Sequence, residues 1–381
     1  MHRRAVLAGA LAAACGSGDV RIGLGSGIPS GGISAPADAD AVQTDLRLLG
    51  LGSKLLAYYD VRPGVSGAQA SITLSLTLRG AGASPPTVTI QGALVAPRQC
   101  YVTYSVGGAL GTMQYVARLG DSVLSGTSPV SGLVDIGNGN TLVFGAGTYA
   151  TTHIHWTECT SLAELTGRAN SALTSALAGG GARYEAYGLN GRSPSLLFPT
   201  SALANESGIP ALASGVDIPL EVWLLGETYQ HISGVGTSTM WAFTNQSGTH
   251  NTKSFLLARA CGPTVSGLES KYLLQRRDSG AVPATVSLIC DQLHSDLDPK
   301  VIRSVLTSSG QMHFNGMPGK AAAATLNRGV ASTFDRFTVG GFYPGTAGFS
   351  SANWWLGRFS ALAITQPLTD AEALLVTKAL A

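Results

Sequence analysis

The segment that most restricts the fold runs from residue 311 to residue 381. It holds three strand-like phrases in succession, "QMHFNGMP" from Gln311, "FDRFTVGGF" from Phe334 and "WWLGRFSALAI" from Trp354, and closes on "LTDAEALLVTKALA" from Leu368. Asn315-Gly316 between two apolar runs is a tight-turn dipeptide. Thr369 and Glu372 have capping-box spacing, in which each side chain satisfies a free amide at a helix start. A chain that ends this way needs a sheet for the strands and one face of that sheet for the helix. The 49 glycines and only 12% charged residues agree with many strands and turns. One long pattern elsewhere fits a helix: residues 162–177, stopped by the glycines at 179–181. A second, shorter helix fits residues 38–51.

Composition removes several function classes. A net charge of +2 is too weak for nucleic-acid binding, and the tight basic pair Arg276-Arg277 runs straight into Asp278. No apolar run reaches the roughly 20 residues that span a bilayer as a helix. Apart from Cys15, four cysteines remain: Cys100, Cys159, Cys261 and Cys290. None form a C-x-x-C pair, so a zinc site is not indicated. Cys100 with Cys159 and Cys261 with Cys290 would serve as disulfides in an oxidising space; buried thiols in strands are the equal alternative.

The closing order, a strand with "NG", a strand ending in "GG" and a strand with "GRF" before a small helix, resembles the end of a concanavalin A-like or laminin-G-like jelly roll. "YYDVRPG" from Tyr58 resembles the opening strand of phage-associated relatives, and "NGRSPSLLF" from Asn190 resembles a later one. Between them, "SPPTVTIQG" from Ser84, "GGALGT" from Gly107 and "FGAGTYAT" from Phe144 resemble an insert in lectin-like proteins of phages and prophages. The resemblance implies an all-β protein: a concanavalin A-like jelly-roll sandwich with an inserted small β-sandwich and a short C-terminal helix. The expected organisation is an arm over 1–50, a first strand within 51–66, the insert over 67–158 and the jelly roll over 159–381.

Retaining glucanases of this fold carry E-x-D-x-E on one strand, because two carboxylates about 5 Å apart act as nucleophile and acid. No Glu-x-Asp occurs in this chain, so the expectation is a protein without catalytic residues, with a glycan-degrading enzyme that uses other acids as the lesser alternative. Asp291, Asp296 and Asp298, beside Pro299, read as an acidic loop with oxygen donors suited to Ca²⁺, against a plain solvated loop. His153 and His155 share a strand face, yet no third ligand accompanies them. Sugar recognition uses flat rings with a few orienting polar groups. The glycan-binding candidates are Trp241, Tyr343 and Trp354, with Asn245, Gln246, His250 and Asn251 as a polar rim. Trp223 and one of Trp354 and Trp355 read as core, since neighbours on a strand face opposite ways.

The jelly-roll and insert resemblances together imply a phage or prophage virion surface protein, a capsid decoration or tail adhesin. Its partners would be other virion subunits or cell-surface glycans. Homo-oligomerisation is open, with no heptad repeat to impose it. The rival reading starts at the N-terminus. "MHRRAVLAGALAAAC" resembles a bacterial lipoprotein signal, with Cys15 as the lipidation site, although Ala12 stands where Leu is usual. On that reading the protein is a lectin-like envelope lipoprotein. An unprocessed arm over residues 16–40, rich in Gly, Ser and Pro, is the other possibility.

Overall fold

The computed structural model describes residues 45–62, 72–80, 85–92, 99–119, 122–137, 139–168, 172–175, 182–189, 193–198, 203–205, 219–228, 237–245, 255–261, 270–277, 285–293, 299–306, 310–314, 317–318, 334–341, 355 and 357–381. These form antiparallel strands with one C-terminal α-helix. The first sheet pairs β1 (Leu55–Asp60) with β23 (Gly357–Thr365), then β14 (Leu220–Thr228), β19 (Lys300–Leu306) and β20 (Gly310–Phe314). The second runs β10 (Leu173–Ser175), β13 (Leu203–Asn205), β22 (Arg336–Val339), β15 (Thr237–Thr244), β16 (Phe255–Cys261), β17 (Lys271–Arg277) and β18 (Thr285–Leu293). One side of this jelly-roll sandwich is closed: β23 pairs with β12 (Ser193–Phe198), β12 with β11 (Ala182–Leu189), β11 with β9 (Ile154–Leu162), and β9 with β10.

Alternation divides the side chains of each strand between two cores. On β14, Val222 and Leu224 face the sandwich interior with Leu362 and Ile364 of β23, opposite Trp241, Phe243 and Phe337. Trp223 and Leu225 face the other way, with Tyr58, Val301, Ala361 and Ala363. Helix α1 (Asp370–Leu380) covers this outer face with Ala373, Val376 and Leu380, an i, i+3, i+7 stripe. Both sides of a capping box, Thr369 and Glu372, are made. The motif from Tyr58 now has a physical meaning. Asp60 accepts from the Tyr58 hydroxyl and from Arg62 Nε and Nη2 at 2.9 Å each. Arg62 Nη1 also donates to the Leu380 carbonyl at 2.9 Å, which caps the helix end. At the helix start, buried Glu221 accepts from Arg303 at 2.7 and 3.0 Å and from the Leu368 amide at 3.1 Å.

Residues 88–149 have a hydrophobic cluster of their own around Val102, Tyr104, Phe144 and Tyr149. Here β4 (Cys100–Val106), β5 (Gln114–Leu119) and β6 (Ser122–Thr127) extend from β9, and β2 (Ile72–Gly80), β3 (Val88–Gln91), β8 (Asn140–Phe144) and β7 (Leu133–Gly137) form the facing sheet. Strand β9 also pairs with β2 and continues into the jelly roll, so the expected boundary at 158/159 falls within one strand.

Two expectations are corrected. Residues 162–177 contain no helix among those described: Leu162 ends β9, Leu173 opens β10, and the two pair directly. Glu164 organises the turn between them by accepting from the amides of Thr166, Gly167 and Arg168. The apolar spacing that resembled a helix thus serves two strands meeting in the core. Over 38–51, the described part is one 3-10 turn, Leu46–Leu49, capped by Asp45. The glycine pair after β22 is explained by Gly340, at φ +88°, where a Cβ would lie 2.3 Å from the Phe198 ring. Phe314 pairs with Met317 across Asn315-Gly316, which themselves lie outside the described residues. Residues 16–40 and Cys15 also lie outside. Cys100, Cys159, Cys261 and Cys290 are buried and form no disulfide, and burial pushes Cys100 and Cys159 up to about 12.

Candidate functional site

Of the sequence-predicted site residues, Trp241, Asn245 and Asp291 lie among those described. Trp241 is corrected: at 0% exposure it packs edge-on against Phe243 in the sandwich core and offers no face to a sugar. Trp241 shares the inner face of β15 with Phe243, and its partner on β22, Val339, is core as well. Trp223 and Trp355 are core as expected. Asn245 follows β15 and is half-buried. Gln246, His250, Asn251, Tyr343 and Trp354 lie outside the described residues, as do Asp296 and Asp298. Asp291 is corrected from loop to strand, because β18 runs on to Leu293.

The two histidines do not converge on a metal. His155 Nε2 lies 2.9 Å from the Pro86 carbonyl, which can only accept, so Nε2 carries the proton. Nδ1 then accepts from the Tyr104 hydroxyl at 2.9 Å. Burial pushes His155 below the usual imidazole range. His153 Nδ1 instead accepts from the Ala150 amide at 3.1 Å. Among the described residues no three His, Cys, Asp or Glu side chains are placed to hold a metal ion.

A different group does converge. Strand register puts Glu158 (β9), Arg183 (β11), Leu197 (β12), Arg358 (β23) and Glu227 (β14) side by side in one row across five strands. Paired residues share a face, and the row lies on the side opposite Ala182, Tyr184 and Phe359, which are core. Glu185, two residues along β11 from Arg183, joins both cations. It accepts from Arg183 Nη2, and from Arg358 Nε at 2.6 Å. Arg358 Nη1 reaches Glu227 at 3.5 Å. The three glutamates are buried, while the Arg183 and Arg358 side chains remain 25% and 22% exposed. The arginine side chains are therefore more exposed than the carboxylates that hold them.

The row sits where the 88–149 region meets the jelly roll. The Tyr101 ring of β4 lies 5.3 Å from the Arg183 guanidinium carbon, and Gln99 Oε1 accepts from the Ala186 amide at 2.8 Å. Two buried donors there, Arg183 Nε and Trp156 Nε1, have no hydrogen-bond partner among the described residues. Chemically the arrangement offers a planar ring and partly exposed arginine side chains, oriented by buried carboxylates, within one strip. Glu185 and Glu227 are engaged by guanidiniums as acceptors, which suits fixed recognition of hydroxyl groups rather than proton donation to a leaving group. Sequence reading missed this row, although a signal existed. In a chain with so few charges, Arg183 and Glu185 alternate with the apolar Ala182, Tyr184 and Ala186, and Arg358 stands in the "GRF" phrase.

A concavity of ≈ 250 Å³ lies between two 3-10 turns, Leu46–Leu49 and Gly52–Lys54, and residues 165–168. Its arginines are already engaged: Arg47 Nε donates to Asp45 at 2.7 Å and Arg168 Nη1 to the Leu55 carbonyl at 2.7 Å.

No family model matches the chain, and no curated protein matches its sequence. Solved structures resemble it remotely. The SAP-like pentraxin of Limulus polyphemus is 15% identical, with a TM-score of 0.32 over 42% of this chain and 69% of the pentraxin. The CBM40 of Ruminococcus gnavus IT-sialidase is 11% identical, with a TM-score of 0.33 over 47% of this chain and 92% of the module. The receptor-binding domain of botulinum neurotoxin D is 8% identical, with a TM-score of 0.39 over 57% of this chain and 49% of that domain. Likenesses this remote carry no weight for function, and the sandwich stands on its own strand pairing.

Proposed function

We propose that this is a non-catalytic, glycan-binding β-sandwich protein, and that the row Arg183–Glu185–Arg358–Glu227 with Tyr101 is its binding strip. The observation that carries the reading is the partial exposure of two arginine side chains, held by buried carboxylates beside an aromatic ring. Such a strip is fixed before ligand arrives, so binding need not order it. The test is a glycan array probed with the full chain, with and without Ca²⁺. Selective binding that falls about tenfold in Tyr101→Ala and Arg183→Lys, at unchanged melting temperature, supports it. Binding unaffected by both substitutions but lost on replacing residues 245–251 moves the site to that loop. Calcium dependence would support a role for Asp291, Asp296 and Asp298. A blank array overturns glycan binding.

The setting we propose is a phage or prophage virion surface, with virion subunits as further partners. Support for it comes from the phrases at Tyr58, Ser84, Gly107 and Phe144. The sequence ending at Cys15 favours a second reading, an envelope lipoprotein with the same body. Mass spectrometry of the native N-terminus separates them, because an acylated Cys15 excludes the virion reading.

A further inference from the structure

We infer that strand β6 is a self-association edge, which pairs antiparallel with β6 of a second copy of this chain. Strand β6 pairs with β5 along its whole length, from Ser122↔Leu119 to Thr127↔Gln114, without a register shift. Among the described residues it pairs with nothing else, and five of its six residues are exposed. Every second residue of such a strand turns its N–H and C=O away from its neighbour and into solvent. These groups fit an extended backbone and little else.

Soluble proteins guard such an edge with charge, proline or a bulge. Strand β6 reads "SVLSGT" and has none of the three. The contrast lies in the facing sheet, where the other outer strand, β7, carries Asp135 and an irregular register between Asp135 and Gly137. Apolar exposure concentrates at the same place. Val123 at 57%, Val130 at 80% and Leu133 at 50% lie within residues 123–133, on β6, the turn after it and the start of β7. Gly111, at φ +87°, leaves room for Val130 at the turn, since a Cβ there would lie 2.9 Å from Val130 Cγ2.

A second copy is the occupant because β6 is neutral and complementary to itself. About a two-fold axis it meets no like charge, its own edge supplies the missing donors and acceptors, and the pairing closes on two copies. Leu124 points inward to the local core, so Val123 and Ser125 lie on the outer face and come together across the axis.

The experiment is sedimentation velocity on the full chain from low to high micromolar concentration, with Val123→Lys as the variant. The expected result is a monomer–dimer equilibrium that weakens at least about tenfold in Val123→Lys, at unchanged melting temperature. Independently, in a Cys15→Ser background, Ser125→Cys alone, or Ser125→Cys mixed with Val123→Cys, should form a reducible disulfide dimer. Leu374→Cys, on the exposed face of α1, should not. A chain that stays monomeric throughout overturns the inference. So does a dimer that is indifferent to Val123→Lys and is not captured through either β6 cysteine.

Discussion

Glu221→Gln isolates the contact that seats the C-terminal helix. Glu221 is 1% exposed and accepts three hydrogen bonds, two from Arg303 and one from the Leu368 amide. Arg303 also lies over Trp223, with its guanidinium carbon 5.0 Å from the ring centroid. Glutamine keeps one acceptor oxygen for these three donors and turns an amide N–H₂ toward the guanidinium. One charge-assisted bond is lost, worth roughly 1.5–3 kcal/mol. The cation is left without its anion, and breaking a buried pair from one side costs about 3–5 kcal/mol in all. The expected destabilisation is therefore about 3 kcal/mol, read at pH 7 from urea unfolding with an unchanged denaturant slope. The double variant Glu221→Leu/Arg303→Met removes both charges and fills the space with apolar atoms. It should cost less than Glu221→Gln, the remaining loss being the Leu368 amide, about 1 kcal/mol. A single substitution that costs under about 1 kcal/mol, or a double as damaging as the two singles added, would refute the reasoning.

Two further outcomes follow from buried contacts. Burial pushes His155 down in the folded state, so its contribution is present above the unfolded imidazole pKa of about 6.5 and is lost as pH falls through that value. His313 is depressed in the same direction, also by burial first, so wild-type stability should decline from pH 7.5 toward 5; His155→Gln, measured by thermal melts across that range, should flatten the decline, and an unchanged slope would exclude His155 as its source. Gly340→Ala places a Cβ against Phe198 at a φ that side chains rarely adopt, and should destabilise by about 2 kcal/mol or more in urea unfolding; a neutral effect would mean that the turn after β22 relaxes freely.

Local chemistry determined much of this protein in advance. The capping box at Thr369 and Glu372, the strand phrases around Arg336 and Gly357, and the core role of Trp223 each depend on neighbours within a few residues, so the linear order suffices to read them. Reading failed where a local pattern admits two answers. Leu162 and Leu173 suit one helical stripe as well as two paired strands, and only the sheets they enter decide. Trp241 is a sugar-binding candidate by residue type, whereas its place beside Phe243 on the inner face of β15 puts it in the core. The row from Glu158 to Glu227 joins residues of five strands separated by long stretches of chain, and its members become neighbours only through strand register. The sequence by itself determined an all-β chain with a docked terminal helix, because hydrophobic alternation and caps are local properties. Tertiary structure alone decided which charges meet at the junction and which strand edge stays open, because both depend on pairing between distant segments.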